Sequence, residues 1–175
     1  MGKKIIITGA PGTGKTSIIN HLLNLGYSCS KEVSREIIKE EISSEGEVLP
    51  WINLAEFSKR VFSLRKKQYI NAPENSLHFF DRGILDVISY MKTENLPISK
   101  YYQDECEKYK YNTTVFYTPI WKEIYKNDLQ RKEDIYHAIA IEEALLDTYR
   151  SYGYCMKKIP KMSIKKRVDF IISKI

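Results

Sequence analysis

In Lys4-Ile5-Ile6-Ile7-Thr8-Gly9-Ala10-Pro11-Gly12-Thr13-Gly14-Lys15-Thr16 a short β-branched apolar run passes without a linker into a glycine-rich turn ending in Lys-Thr. Apolar residues at successive positions, bounded by glycine, predict a strand over 4–8 that is buried on both faces. Beyond Lys15, the residues Ile18, Ile19, Leu22 and Leu23 recur with helical spacing, and Gly26 stands where a helix is capped. Residues 9–16 fit GxxxxGK[ST] in the strand-to-helix setting that this pattern requires. Its glycines let backbone N–H groups turn inward around phosphate oxygens, Lys15 brings a cation to the β and γ phosphates, and the helix N-terminus adds its dipole. The expected contacts to a nucleoside triphosphate are therefore Gly9, Ala10, Pro11, Gly12, Thr13, Gly14, Lys15, Thr16 and Ser17, with Thr16 also a ligand of Mg²⁺. A plain glycine turn with an exposed lysine is the competing reading, and the flanking strand and helix count against it.

Outward from this unit, strand and helix signals alternate. A second short strand is predicted over 27–30, a helix over 32–42 and an irregular acidic link over 43–47. A longer helix follows, marked by Leu54, Phe57, Val61 and Leu64 and stopped by Asn71-Ala72-Pro73. Leu77-His78-Phe79-Phe80-Asp81 predicts a third strand ending in a carboxylate and Thr114-Val115-Phe116-Tyr117 a fourth, with helices over 85–92 and 100–109 between them. The stripe Ala138, Ile141, Leu145 and Tyr149 marks another helix, followed by a fifth strand over 154–159 and a closing helix over 164–172. Such alternation implies an α/β fold, a parallel sheet covered by helices on both faces. No internal repeat, low-complexity tract or linker interrupts it, so one domain over residues 1–175 is expected.

Composition narrows the function classes. The chain has 175 residues, 43% of them hydrophobic, enough for a substantial core. Twenty-eight Lys and Arg against 22 Asp and Glu leave +6, which suits anionic small molecules as well as nucleic acid. The densest basic stretch, residues 157–167, reads as a solvated face around the last helix rather than a nucleic-acid site. Cys29, Cys106 and Cys155 are odd in number, widely spaced and without a CxxC pair, which argues against a disulfide framework or structural zinc and for a reducing compartment. The apolar run after Lys3-Lys4 is too short for a signal core or a membrane span, and Ile6 stands where a myristoylation motif needs Ser or Thr. A cytoplasmic protein is the expectation.

Several polar residues could act around the loop. Asp81, after its hydrophobic lead-in, is a candidate second metal ligand or base, with a helix N-cap as the structural alternative. Arg82 is a candidate phosphate clamp, or else a surface salt bridge; strand alternation points it away from Asp81. Glu32 and Arg35 share a helix face at i,i+3, as a functional pair or a surface ion pair. Arg131, in a polar segment between the fourth strand and the next helix, could bring a guanidinium against charge that develops during transfer, or belong to a solvated loop. Trp51 is a core anchor or a stacking surface for a substrate ring. His21, His78 and His137 form no spaced cluster and read as packing residues.

These landmarks resemble the small AAA-labelled "predicted ATPase" family of phosphate-loop proteins, which includes the ribosylnicotinamide kinase domain and stands near the nucleoside and nucleotide kinases. The matching runs are residues 9–16, Gly26-Tyr27 with residues 32–35, Leu49-Pro50-Trp51, Phe79-Phe80-Asp81-Arg82-Gly83 with Asp86, residues 128–131, and Tyr152-Gly153-Tyr154. They span nearly the whole chain; the loop is specific to the superfamily and the other runs count through their order. The resemblance implies a three-layer P-loop sandwich with five parallel strands ordered 2-3-1-4-5 and a lid-like segment near 120–134. It also implies that Glu32 supplies a carboxylate toward an acceptor hydroxyl, that Asp81-Arg82 is an acidic-Arg element, and that Arg131 is a lid arginine.

The leading expectation is a small-molecule kinase using MgATP, with Lys15 on the γ-phosphate, Glu32 or Asp81 as base, Arg131 over the transition state, and Arg35, Trp51 and Arg82 toward a nucleoside- or nucleotide-like acceptor. An ATPase or nucleotide-dependent switch acting on a protein partner is the alternative. GTP is disfavoured because no Asn-Lys-x-Asp run occurs.

Overall fold

The computed structural model describes residues 3–124 and 135–175. Its elements run β1 (Lys4–Thr8), α1 (Lys15–Asn24), β2 (Ser28–Ser30), α2 (Val33–Ser43), α3 (Leu54–Asn71), β3 (His78–Asp81), α4 (Ile84–Thr93), α5 (Lys100–Lys108), β4 (Thr114–Tyr117), a 3₁₀ turn (Lys122–Ile124), α6 (Ile135–Ser151), β5 (Cys155–Lys158) and α7 (Ile164–Ile172). The strands form a parallel sheet in the order β2-β3-β1-β4-β5, as the resemblance implied.

Three consecutive isoleucines make β1 the centre of the molecule. Ile5, Ile6 and Ile7 are 1%, 0% and 0% exposed, and each such burial is worth about 1.5–3 kcal/mol. Successive side chains face opposite sides of the sheet. Ile6 therefore joins Phe80, Val115 and the apolar faces of α2, α3, α4 and α6 in one core, while Ile5 and Ile7 join Phe79, Phe116 and residues of α1 and α7 in the other. Register aligns Ile7 with both Asp81 and Phe116, so the carboxyl ends of β1, β3 and β4 open on one edge of the sheet.

Differences from the sequence reading are local. Glu32, expected inside a helix, is the N-cap of α2, its carboxylate accepting from Ser34 N at 3.1 Å. Asp81 is not a helix cap, because α4 is capped at Gly83. The alternative to a functional Asp81 is thus removed. His78 is a packing residue as expected, with Nδ1 and Nε2 each 2.8 Å from the hydroxyls of Ser28 and Ser30 on the neighbouring strand. Burial, aided by Lys4, holds its pKa down at about 4. Among the described residues no helix is long and apolar enough to cross a membrane.

Candidate functional site

The loop after β1 is built by close backbone approach. Gly9 has φ 138°, and a Cβ there would lie 2.5 Å from the carbonyl oxygen of Thr118, so only glycine fits beside the end of β4. Thr118 Oγ1 lies 2.5 Å from Thr13 Oγ1 and 3.2 Å from Thr8 O, tying the loop to the sheet edge. Lys15, 6% exposed, donates from Nζ to Gly9 O at 2.9 Å and Ala10 O at 2.7 Å. Burial, reinforced by the Arg82 charge, pushes its pKa down to about 7 against the opposing pull of Asp81, Glu32 and Asp86. The helix begins at a Gly14 N-cap of φ 85° without a side-chain capping bond, which leaves first-turn N–H groups to an external acceptor.

A residue that the sequence reading assigned to a solvated face completes this loop. Arg167, on α7, is 3% exposed and donates from Nη2 to Thr13 O at 2.9 Å. Its guanidinium lies 5.9 Å from the centre of the Trp121 ring, and its Nε is buried without a hydrogen-bond partner. The sequence signal was its spacing: Arg167 lies between Ile164 and Ile171 on the helical stripe that also carries Val168.

Beside the loop, Thr16 Oγ1 donates to Asp81 Oδ2 at 3.2 Å, bringing together the two residues expected to ligate a cation. Asp81 is 1% exposed and its Oδ1 is buried without a hydrogen-bond partner. Burial, with Glu32 adding to it, raises the Asp81 pKa to about 6 despite Lys15, Arg82 and Arg65. An orphaned, reluctantly ionised oxygen next to a hydroxyl is a fitting pair for Mg²⁺, which takes one or two protein oxygens and completes its shell with water and phosphate. No group of three or more His, Cys, Asp or Glu suited to a metal occurs among the described residues.

The third layer is an ion network. Glu32 Oε1 accepts from Arg65 Nη2 at 2.9 Å and Oε2 from Arg82 Nε at 2.5 Å. Burial alone would raise the Glu32 pKa, but Arg65, Arg82, the Ser34 N–H and Lys15 outweigh it and hold it at about 2. Asp86, 0% exposed, accepts from Thr8 Oγ1 at 2.5 Å, Arg82 Nη1 at 3.1 Å, Gly83 N at 2.8 Å and Tyr149 Oη at 2.6 Å. Arg82 reaches both carboxylates because β3 ends at Asp81 and Arg82 adopts φ 75°, a left-handed conformation costing a non-glycine residue on the order of 1–3 kcal/mol. The surface ion pairs considered for Glu32 and Arg82 are therefore replaced by a buried network. Arg65 was not foreseen, although it follows Phe57 and Val61 at i,i+4 intervals on the inward stripe of α3.

A cavity of about 390 Å³ joins these layers. Pro11, Gly12, Gly14, Lys15, Thr16 and Ser17 line it from the loop, and Glu32, Arg35, Arg65 and Arg82 contribute its charges. Ile38, Leu54, Phe57, Val61, Val87 and Tyr90 form an apolar wall. Glu32 is thus in the lining, whereas Asp81 stands outside it against Thr16. Trp51 is 38% exposed, not a core anchor, and lies next to the lining residue Pro50. Arg131 and the segment 125–134, which holds most of the expected lid, lie outside the described residues.

Comparison with known proteins places the chain. A search of curated proteins gives no match. Among solved structures, the deoxyadenosine kinase from M. mycoides with bound dATP superposes with a TM-score of 0.70 at 17% identity, covering 98% of each chain. The NadR protein in complex with NR gives 0.71 at 17% identity over 98% of this chain and 50% of that one. The thymidylate kinase from Ehrlichia chaffeensis gives 0.67 at 12% identity over 99% of this chain and 98% of that one. A family model described as AAA domain matches residues 4–167, which include all five strands of the sheet and the whole phosphate loop. The chain belongs to this AAA domain family and has the fold of the phosphate-loop nucleoside and nucleotide kinases.

Proposed function

We propose that this protein is a kinase that transfers the γ-phosphate of MgATP to a hydroxyl of a nucleoside-like small molecule. The observation that carries this reading is the continuity of one cavity from the phosphate loop through Glu32 and Arg82 to an apolar wall, so that a donor and an acceptor can meet. Structures of similar fold include kinases whose names specify a nucleoside and a nucleotide acceptor.

In this reading the loop N–H groups and Lys15 hold the triphosphate. Thr16 and Asp81 hold Mg²⁺, which when bound neutralises charge on the β and γ oxygens. Glu32, rather than Asp81, faces the acceptor: it lines the cavity and stays ionised because two guanidiniums grip it. A carboxylate of so low a pKa is a weak base, adequate where phosphoryl transfer is loose and the hydroxyl proton leaves late. Arg82 neutralises Glu32 while its Nη1 is held by Asp86. Arg131 enters from its sequence position and the family resemblance, as the cation that closes over the transferred group.

The test is ADP release from MgATP with and without a panel of hydroxylated metabolites. Acceptor-dependent turnover is expected, and slow acceptor-independent release alone would favour the ATPase or switch. Glu32→Gln and Asp81→Asn should each lower turnover by about 10²-fold or more. Only the Asp81 variant should shift the Mg²⁺ dependence; near-wild-type rates in either would remove the role given to that residue.

A further inference from the structure

The phosphate loop is held from outside as well as built from within. After β4 the chain leaves the sheet at Thr118, whose N–H donates to Thr8 O at 2.9 Å. Residues 118–124 then run along the loop and meet it repeatedly. Thr118 O lies 2.5 Å from where a Cβ on Gly9 would stand, and Thr118 Oγ1 lies 2.5 Å from Thr13 Oγ1. Trp121 packs on the guanidinium of Arg167, which donates to Thr13 O. Ile124 Cδ1 lies 3.6 Å from where a Cβ on Gly14 would stand. None of residues 118–124 lines the cavity, so this strap shapes the loop without touching an acceptor.

A strap needs an anchor of its own. Pro119 has no N–H to give, and the N–H of Ile120 lies past the end of β4. That N–H donates to Glu142 Oε2, on α6, at 2.7 Å. Glu142 stands on α6 beside Ile141, with Leu145 one turn on, both in the core, so its carboxylate is half-buried. Burial raises its pKa, with Glu143 adding to it, while the Ile120 N–H, Lys158 and Lys161 pull the other way. A half-buried carboxylate gives up solvation, and a loop N–H near the surface can bond to water instead. What this bond supplies is a fixed path for the chain between Thr118 and Trp121, the two residues through which the hydroxyl and the carbonyl of Thr13 are held.

We infer that Glu142 is a positioning residue for nucleotide binding: from outside the cavity it fixes residues 118–121, and through them the shape in which the phosphate loop meets a triphosphate. This rests on the MgATP site of the reading above and on no acceptor. The experiment is calorimetric binding of a non-hydrolysable ATP analogue with Mg²⁺ to the full chain, with a melting curve for each variant. Glu142→Ala should weaken affinity by about five- to tenfold, the order of one net hydrogen bond. Glu142→Gln keeps an oxygen for Ile120 N and should recover most of that loss. In a Trp51→Phe background Trp121 is the remaining tryptophan, and Glu142→Ala should make its fluorescence more accessible to acrylamide. Either an affinity within about twofold of wild type or an unchanged Trp121 overturns the inference and leaves the kinase reading standing. A Gln variant as weak as Ala overturns it too, because the bond to Ile120 is then not the cause. Wild-type chain that binds no analogue overturns both readings. If Glu142→Ala melts below the assay temperature, Thr118→Val carries the test, since it deletes the hydroxyl bond to Thr13 at nearly constant shape. Affinity should again fall, and an unchanged value overturns the inference.

Discussion

Lys15 is the residue on which the site turns, and its environment gives it a titration that can be measured. Held by two loop carbonyls and buried beside Arg82, it has a pKa lowered to about 7. A triphosphate favours the charged form, so at pH 7.5–8 binding should draw a proton from the buffer. The sign follows: ATP affinity is greatest below pH 7 and weakens as the pH rises through that value. Calorimetry in buffers of different ionisation enthalpy should show proton uptake, and Lys15→Ala should abolish it while weakening affinity by roughly 10- to 100-fold, the value of one charged hydrogen-bond donor. Binding without proton exchange in the wild type would mean that Lys15 is fully charged before the ligand arrives. Arg82 shows the limit of residue-by-residue prediction. Its neighbourhood in sequence pointed to strand alternation, whereas its positive φ directs it to Glu32 and Asp86, partners drawn from two other elements.

Helix α7 does more than cover the sheet. It sends Arg167 to the carbonyl of Thr13, and a Cβ on Gly14 would approach Arg167 Nη1 to 2.9 Å, so helix and loop are fitted to each other. Arg167 makes no ion pair with a carboxylate among the described residues, and burial lowers its pKa. Its fixed contact is instead the loop backbone and the Trp121 face. Arg167→Met, which keeps the stem and removes the donor, should weaken ATP affinity by roughly tenfold, about the net worth of one hydrogen bond plus looser loop geometry. Unchanged affinity with a lowered melting temperature would show that α7 only packs there. The helix itself was legible from Ile164, Val168 and Ile171. That same stripe passes through Arg167 and not through Lys165 or Lys166, but three adjacent basic residues read as one solvated face, and the packing of α7 against α1 is what buries the guanidinium.

The network centred on Asp86 joins distant parts of the chain: Thr8 from β1, Arg82 after β3, the start of α4, and Tyr149 from α6. Tyr149→Phe leaves the aromatic packing and removes one of four bonds to a fully buried carboxylate. It should cost about 1.5–3 kcal/mol in denaturant unfolding. A loss well under 1 kcal/mol would mean that Asp86 is satisfied by its other three donors. The sequence alone determined the layered α/β fold, its element order and the phosphate loop, because those depend on local patterns: β-branched runs, helical spacing and glycines at a strand-to-helix turn. The strand order came through family resemblance and agrees with the structure. Tertiary structure decided that Glu32 lines the cavity while Asp81 stands against Thr16, and that Arg65, Asp86, Tyr149 and Arg167 belong to or support the site. The physical reason is burial: these groups acquire their pairings from partners up to 154 positions away, which no local pattern encodes.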